Sequence, residues 1–325
     1  MSSIILVATL IADPAREPLG EATLDKAAAA LRGVERRRWL DDGVAADLVF
    51  TGELAPKRAA LEQAFAGEPI DVIVQPLAGR EKRLLVADMD STLIGQECVD
   101  VIAAAAGVGE HVAPITERAM RGDIAFEPAL RKRVGLLARL PEAAIDAALA
   151  KITLNPGART LVRTMKARGA RVAVVSSGFR PFTRAVAARL GADEDRANEF
   201  EIIDGKLTGR AIEPVLGADA KLAAMRETAQ AMGISLAETM AVGDGANDIP
   251  MLRAAGLGVA YRARPRVAAA AHARIDHGDL TALLYAQGIK RKEFVEGVTA
   301  QGLRPGAEQG PTTRNDSSDG GVGGP

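Results

Sequence analysis

Cysteine is almost absent from this sequence. A single cysteine, Cys98, among 325 residues excludes an intramolecular disulfide framework and a zinc site built from several cysteines. The N-terminus shows no combination of basic residues, a long apolar run and a cleavage site that would indicate a secretory signal. These absences predict a protein of the reducing cytoplasm.

The chain also lacks an excess of charge and lacks long apolar runs. Lys and Arg number 41 against 42 Asp and Glu, so no broad basic field is available for nucleic acid or an anionic membrane. Apolar segments are interrupted by charge or glycine within about ten positions, whereas a membrane-spanning helix needs about 20 apolar residues. We therefore expect a soluble protein that binds neither nucleic acid nor membrane and recognises any phosphate locally.

What is present is enough material for two domains, with 48% hydrophobic and 26% charged residues. In residues 1–80 the hydrophobic periodicity predicts the order β-α-β-β-α-β, with Asp41-Asp42-Gly43 as a hairpin turn. This is the order of a ferredoxin-like α+β domain. Because that fold hosts regulatory, dimerising and catalytic modules alike, it does not by itself indicate a function.

The second predicted domain, residues 81–296, alternates strands and helices. Residues 84–87 predict a buried strand that ends at Asp88, and the pattern from 97 to 153 is helical, which indicates an inserted helical cap. Further strands are expected at 172–175, 239–242 and 258–261, and a hairpin at 199–212. The predicted fold class is α/β, a doubly wound parallel sheet with a cap.

Residues 297–325 are rich in Gly, Pro, Ser and Asp and show no periodicity, so we expect a disordered tail.

Three of the predicted strands end in polar residues. Ligands of an open α/β sheet bind outside the carboxyl ends of its strands, so these ends should converge. They are Asp88-Met89-Asp90-Ser91-Thr92, Ser176-Ser177-Gly178 and Gly243-Asp244-Gly245-Ala246-Asn247-Asp248, with Lys221 opening a helix between the last two.

Carboxylates gathered in this way repel one another unless a cation lies among them. Oxygen ligands without nearby Cys or His favour a hard ion, and Mg²⁺ typically binds one or two carboxylates together with a substrate phosphate. The sequence therefore predicts one Mg²⁺ per site.

The same residues fit phosphoryl transfer. Asp88 suits a carboxylate nucleophile that forms a phosphoaspartate, and Asp90, two residues later, suits a general acid and base. The transferring phosphoryl group needs hydrogen-bond donors, which Ser176, Gly178 and Lys221 can supply.

With these residues in place, the chain resembles the haloacid dehalogenase superfamily. Asp88-x-Asp90-x-Thr92, Ser176, Lys221 and Gly243-Asp244 through Asp248 look like its four motifs in order. The resemblance is particularly to the phosphoserine phosphatases of that superfamily, over about residues 83 to 290.

The resemblance implies the role of each site residue and the substrate O-phospho-L-serine, in the last step of serine biosynthesis. Asp88 is then the nucleophile and Asp90 the acid/base. The metal is held by Asp88, the Asp90 backbone carbonyl and Asp244, with Asp248 in support, and Asn247 lines the phosphate side. In the cap, Glu97 matches the ligand of the substrate ammonium, Arg133 that of its carboxylate, and Met120 and Phe126 the apolar groups that close over the site.

One position departs from the pattern of many relatives, which read Ser-Gly-Gly in the second motif, because Ser177 replaces the first of those glycines. The N-terminal unit resembles, more loosely, the small ligand-binding (ACT-like) domains that accompany some bacterial phosphoserine phosphatases. It is expected to bind an amino-acid effector or to mediate homodimerisation.

The sequence is compatible with two other functions. A related phosphatase or phosphotransferase could use another small phosphomonoester, such as phosphothreonine or phosphohomoserine. A catalytically dead regulatory or scaffold protein would require loss of a motif carboxylate or of Lys221, and all of these are present.

Overall fold

The computed structural model of the protein describes residues 4–13, 16 and 18–296. The tail predicted for residues 297–325 lies outside that part of the chain. Among the residues described, no helix combines the length and the apolarity needed to cross a membrane.

An antiparallel sheet with strand order β2-β3-β1-β4 forms the first unit, here called the N-terminal sheet. Leu6, Ala8 and Leu10 alternate on one face of β1, where they pack against residues of α1 spaced three and four apart. The predicted β-α-β-β-α-β order is confirmed. Its elements are β1 (Ile4–Ala12), α1 (Glu21–Leu31), β2 (Val34–Asp41), β3 (Ala45–Gly52), α2 (Leu54–Ala64) and β4 (Ile70–Pro76).

The second unit follows β4 in the chain and is built on a central sheet of six parallel strands, in the order β12-β11-β10-β5-β6-β7. The inner strands are buried on both faces, so β5 is an unbroken apolar run. The strands are β5 (Leu84–Ala87), β6 (Arg171–Phe179), β7 (Glu194–Asn198), β10 (Thr239–Gly243), β11 (Leu257–Tyr261) and β12 (Ala273–Ile275).

Helices cover both faces of the central sheet, as the doubly wound prediction requires. Helices α7, α8 and α12 share a hydrophobic cluster with one face, and α9, α10 and α11 share another with the opposite face. They are α7 (Ala158–Ala167), α8 (Arg180–Leu190), α9 (Ala218–Ala231), α10 (Ile249–Ala254), α11 (Pro265–Ala268) and α12 (Ala282–Ala286).

The predicted cap is present as four helices between β5 and α7. They are α3 (Cys98–Ala105), α4 (Gly109–Arg121), α5 (Phe126–Gly135) and α6 (Ala143–Leu149). The predicted hairpin is β8 (Phe200–Ile203) and β9 (Lys206–Ala211). It supports the cap, because the amides of Arg139 and Glu142 donate to the carbonyls of Leu207 and Gly205 at 2.8 and 2.9 Å.

The helix-free face of the N-terminal sheet packs against the second unit. Ile11, Leu40 and Ile73 belong to the same hydrophobic cluster as the central sheet and α12. The buried carboxylate of Asp71 accepts hydrogen bonds from the backbone amides of residues 276, 277 and 278, at 2.7 to 3.2 Å. The two sheets therefore share one continuous core.

Candidate active site

The three polar strand ends do converge, because β10, β5 and β6 are neighbours in the central sheet. Asp88 follows β5, and its backbone amide still donates to Val242 of β10 at 2.9 Å. Asp244 follows β10, and Ser176 to Gly178 lie near the C-terminal end of β6. Parallel pairing thus places the motifs at one edge of the sheet.

Asp88, Asp244 and Asp248 form a buried acidic cluster, with one carboxylate oxygen from each lying within 4.8 Å of the others. The buried ammonium of Lys221 lies 2.6 Å from Oδ1 of Asp88 and 2.6 Å from Oδ1 of Asp248. The hydroxyl of Thr92 donates to Oδ1 of Asp244 at 2.7 Å. The ammonium of Lys221 therefore contacts two of the three carboxylates, and the hydroxyl of Thr92 contacts the third.

Burial, together with the charges of neighbouring carboxylates, shifts the pKa values of Asp88 and Asp244 upward. Burial raises the pKa of Asp88 to about 7, and the charge of Asp248 adds to the rise while Lys221 opposes it. Burial and the charges of Asp88 and Asp248 raise the pKa of Asp244 well above its ordinary value. Burial disfavours the charge of Lys221, but the carboxylates of Asp248 and Asp88 outweigh it, and its pKa is raised.

This cluster fits a hard divalent cation. Its donors are carboxylate oxygens, which Mg²⁺ prefers, and they lie close enough together to share one ion. Burial and the mutual repulsion of the carboxylates raise the pKa values of Asp88 and Asp244, and a cation among them would neutralise the negative charge that causes this repulsion. The residues present therefore suit Mg²⁺.

Asp90 lies beside the cluster and contacts the cap and β6. Its Oδ1 accepts a hydrogen bond from the backbone amide of Cys98, the first residue of α3, at 3.3 Å. Its Oδ2 lies so close to Gly178 that a β-carbon there would be 2.9 Å away. Burial raises the pKa of Asp90 to about 6, and hydrogen bonding to Cys98 opposes that rise.

The end of β6 presents hydroxyl and amide groups beside the carboxylates. The backbone amide of Gly178 donates to Oγ of Ser176 at 2.9 Å. Ser177, which departs from the Ser-Gly-Gly pattern, accepts a hydrogen bond on its Oγ from Nδ2 of Asn247 at 3.1 Å. Through this hydrogen bond, Ser177 connects β6 to the loop after β10.

A cavity of about 270 Å³ joins these groups to the cap. Sequence-predicted residues from both parts of the unit line it: Asp88, Asp90, Glu97, Phe126, Arg133, Ser176, Gly178, Asp244 and Asn247. Lys221 and Asp248 lie behind it, in contact with Asp88 and with the loop after β10. Met120 belongs to the last turn of α4, and its side chain lies outside the part of the structure that is described.

The cap contributes one acidic side chain, Glu97, and one basic side chain, Arg133, to this cavity. Oε1 of Glu97 accepts a hydrogen bond from the hydroxyl of Ser91 at 2.7 Å, and burial together with the charge of Asp90 raises the pKa of Glu97 to about 8. Arg133 is buried, with only 7% of its surface exposed. Its Nη1 donates to Thr116 at 3.2 Å, and its buried Nε has no acceptor among the described residues.

Some cavity residues carried no signal in the sequence. Thr116 joins Arg133 to Asp100, since its hydroxyl donates to Asp100 at 2.6 Å. Arg266, at the start of α11, lines the cavity from the core side, next to Gly122 of the cap. Both positions depend on how separate elements pack, which local patterns do not reveal.

The predicted chemistry assigns no role to the histidines or to Cys98, although Cys98 contacts Asp90. The Cys98 side chain is buried, and burial together with the charge of Asp90 raises the pKa of its thiol, so it is unsuited to act as a nucleophile. His111, His272 and His277 do not line the cavity.

Comparison with known proteins agrees with this geometry. The profile of the haloacid dehalogenase-like hydrolases matches residues 85–253. A phosphoserine phosphatase of Streptomyces coelicolor is 46% identical over 243 residues, which are 74% of this chain and 59% of that protein. The chain therefore spans about three fifths of the length of that relative.

Solved structures are similar to about two thirds of the chain in one case and to nearly nine tenths of it in another. A phospho-aspartyl intermediate analogue of phosphoserine phosphatase has a TM-score of 0.61 at 43% identity, covering 63% of this chain and 98% of its own. The unliganded structure of a probable phosphoserine phosphatase from Vibrio cholerae has a TM-score of 0.69 at 31% identity, covering 89% of this chain and 88% of its own.

Proposed function

The chain belongs to the haloacid dehalogenase-like hydrolase family, as its motifs predict, and we propose that it is a Mg²⁺-dependent phosphatase that hydrolyses O-phospho-L-serine to L-serine and phosphate. The observation that carries this proposal is one cavity lined by Asp88 and Asp90 on the core side and by Glu97 and Arg133 on the cap side. An amino-acid phosphomonoester has a group for each of these side chains.

The substrate would be held at three points. Its ammonium pairs with the carboxylate of Glu97, and its carboxylate with the guanidinium of Arg133, whose buried Nε still needs an acceptor. Its phosphate lies against the end of β6, where Ser176, Gly178 and Asn247 line the cavity. Phe126 supplies an apolar wall from the cap.

In the first step, a carboxylate oxygen of Asp88 attacks phosphorus, and the bond from phosphorus to the serine oxygen breaks. Asp90 gives its proton to that oxygen, so serine leaves as an alcohol, and Asp88 carries the phosphoryl group. The pKa of about 6 makes Asp90 a better proton donor near neutral pH than an ordinary aspartate.

In the second step, water attacks the phosphoaspartate and its proton passes to Asp90. The bond from phosphorus to Asp88 breaks, phosphate leaves, and both carboxyl groups return to their starting states. Lys221, 2.6 Å from Asp88, stabilises negative charge in both steps.

Mg²⁺ would be held by Asp88, Asp244 and the backbone carbonyl of Asp90, with Asp248 in support. When bound, it reduces the repulsion between the anionic carboxylate of Asp88 and the anionic phosphate.

Phosphate release from O-phospho-L-serine, phosphothreonine and a phosphosugar, with Mg²⁺ and with EDTA, tests the proposal. We expect Mg²⁺-dependent turnover with preference for phosphoserine, lost in Asp88→Asn and retained in Asp219→Asn, which changes an exposed carboxylate on α9. Turnover of the other esters but not of phosphoserine would retain the chemistry and overturn the cap assignment. Activity in Asp88→Asn would overturn the mechanism.

We further propose that residues 1–80 form a regulatory or dimerising domain, residues 81–296 the phosphatase domain with its cap at about 97–153, and that the protein works in the cytoplasm in the last step of serine biosynthesis. The single buried cysteine suits a reducing compartment. Sedimentation of the full-length protein over a hundredfold concentration range tests dimerisation. A monomer throughout would contradict it.

A further inference from the structure

A second cavity, of about 360 Å³, lies where the N-terminal sheet meets the residues that follow α12. Its walls come from β2 and β3, from residues 77–81 of the connecting segment, and from Gln287 and Gly288. It shares no lining residue with the cavity of Asp88. Any ligand bound there would contact both units of the chain.

The cavity is lined by three guanidinium groups, those of Arg36, Arg38 and Arg80. Asp47 is shared by two of them, since its Oδ2 accepts from Arg38 at 2.8 Å and from Arg80 at 2.7 Å. Its Oδ1 accepts from the hydroxyl of Thr9 at 2.8 Å. Both oxygens of this carboxylate are thus already engaged.

Glu81, the other acid in the wall, is paired outside the cavity, because it lies 2.7 Å from the guanidinium of Arg168. The side chain of Arg36 is exposed and makes no hydrogen bond or ion pair with any residue that the structure describes. The cavity therefore has an excess of positive charge that the residues described around it do not neutralise.

Arg80 provides a second, independent indication of a ligand. Its side chain is only 7% exposed, and its buried Nη1 has no acceptor within the described residues. A buried donor without a partner is costly, and an anion at this position would satisfy it. Gly288, at φ +79°, makes room for the guanidinium, because a β-carbon at that position would collide with it.

We propose that this cavity is a binding site for a small oxyanion, a molecule carrying a carboxylate or phosphate group, held by Arg36, Arg38 and Arg80. Guanidinium groups recognise both kinds of group through paired N–H donors. Because the walls come from both units, the bound anion strengthens their contact and stabilises the folded chain.

Thermal unfolding of the full-length protein in graded concentrations of inorganic phosphate, malonate or chloride, at constant ionic strength, tests this site. Arg36→Gln removes a cation that has no partner among the described residues, so it should not disturb their fold. Arg37→Gln is the matched control. That residue is next in β2 and removes the same charge, but it pairs with Asp25 at 2.7 Å and does not line the cavity.

We expect phosphate, malonate or both to raise the Tm of the wild type and of Arg37→Gln above the value in chloride. The apparent affinity of Arg36→Gln for the anion should be about tenfold weaker than that of the wild type, because one charge-assisted hydrogen bond is lost. A response to phosphate alone assigns a phosphoryl ligand, and a response to malonate assigns a carboxylate. Equal shifts in all three proteins, or no shift in any, would overturn the proposal. Phosphate binding at the cavity of Asp88 affects all three proteins alike, so the outcome is independent of the proposed activity.

Discussion

The ammonium of Lys221 lies 2.6 Å from Oδ1 of Asp88, and both side chains are buried. Lys221 belongs to α9, a helix that covers the central sheet, and Asp88 follows β5 of that sheet. The contact therefore holds the carboxylate of the predicted nucleophile in position. The same ammonium contacts Asp248. A change at Lys221 therefore alters the charge and the position of two carboxylates together.

Replacing Lys221 by methionine should lower kcat for phosphoserine by about 10² to 10³, the usual loss when a donor to a transferring group is removed. Lys82→Met is the matched control. Lys82 is also buried, but its Nζ donates to the carbonyls of Gly79 and Ala237 at 2.8 and 2.7 Å, away from the cavity. Steady-state kinetics on both variants, with folding checked by circular dichroism, decide the point. Equal kcat losses would show that Lys221 acts only through stability.

Asp90→Asn should separate the two chemical steps when p-nitrophenyl phosphate is the substrate. Its leaving group needs little protonation, so the phosphoaspartate still forms, whereas its hydrolysis lacks a general base. Stopped-flow absorbance should show a burst of p-nitrophenolate close to one equivalent per site, followed by slow turnover. Turnover as fast as in the wild type would remove Asp90 from the mechanism.

Arg133→Ala should raise KM for phosphoserine by about 10- to 100-fold, because a buried, charge-assisted contact to the substrate carboxylate is lost. KM for p-nitrophenyl phosphate, which has no carboxylate, should change little. Arg131→Ala is the control on the same helix, since Arg131 is exposed and pairs with Glu127 and Glu213. If Arg133→Ala affects both substrates equally, the role assigned to Arg133 is wrong.

Gly178→Ala should lower kcat by about tenfold or more, because its β-carbon would lie 2.9 Å from Oδ2 of Asp90 and 3.0 Å from Oγ of Ser176. Gly135→Ala, in α5, adds a methyl group with no atom within 4 Å and should retain full activity. Kinetics and thermal unfolding of the pair are the measurement. Full activity in Gly178→Ala would mean that the end of β6 does not need this close approach.

His272 should make the free energy of unfolding depend on pH. Burial lowers the pKa of His272 below 6.5. Its Nδ1 accepts a hydrogen bond from the backbone amide of Gly258 at 2.9 Å, and this bond requires the neutral ring. Below pH 6.5 the unfolded chain binds a proton that the folded chain resists, so stability falls as the pH decreases through that range. His272→Asn keeps an acceptor near the Nδ1 position that does not titrate. Denaturant unfolding between pH 7.5 and 5 should show a smaller decrease for the variant than for the wild type.

Much of this fold could be predicted because its strands have strong patterns. The run 84–87 is apolar throughout, as expected for a strand buried on both faces, and the hairpin is marked by Asp204-Gly205. Strand β7, Glu194–Asn198, was missed because it is an edge strand of mostly polar residues. Strand β12 has only three residues, which is too few to show a periodicity.

The residues of the site, like the strands, could be predicted where a sequence pattern marks them and not elsewhere. Asp88, Ser176 and Asp244 could be placed together because parallel strands end at one edge of a sheet. The cap residues Glu97 and Arg133 have no local pattern that distinguishes them from other charged residues, and only the family resemblance singled them out. Neither the anchoring of Arg133 by Thr116 nor the position of Arg266 could be predicted, because each depends on contact between separate helices.

The shared core of the two sheets has an energetic consequence. Ile11 and Ile73 of the N-terminal sheet are buried against the same cluster as Leu283 of α12, and Asp71 finds its donors in the loop after β12. Separating the units would expose apolar surface on both and break the hydrogen bonds of that carboxylate to residues 276–278. The stabilities of the two units are therefore not independent quantities, and a substitution at Ile11, Asp71 or Ile73 should change the cooperativity with which the two units unfold.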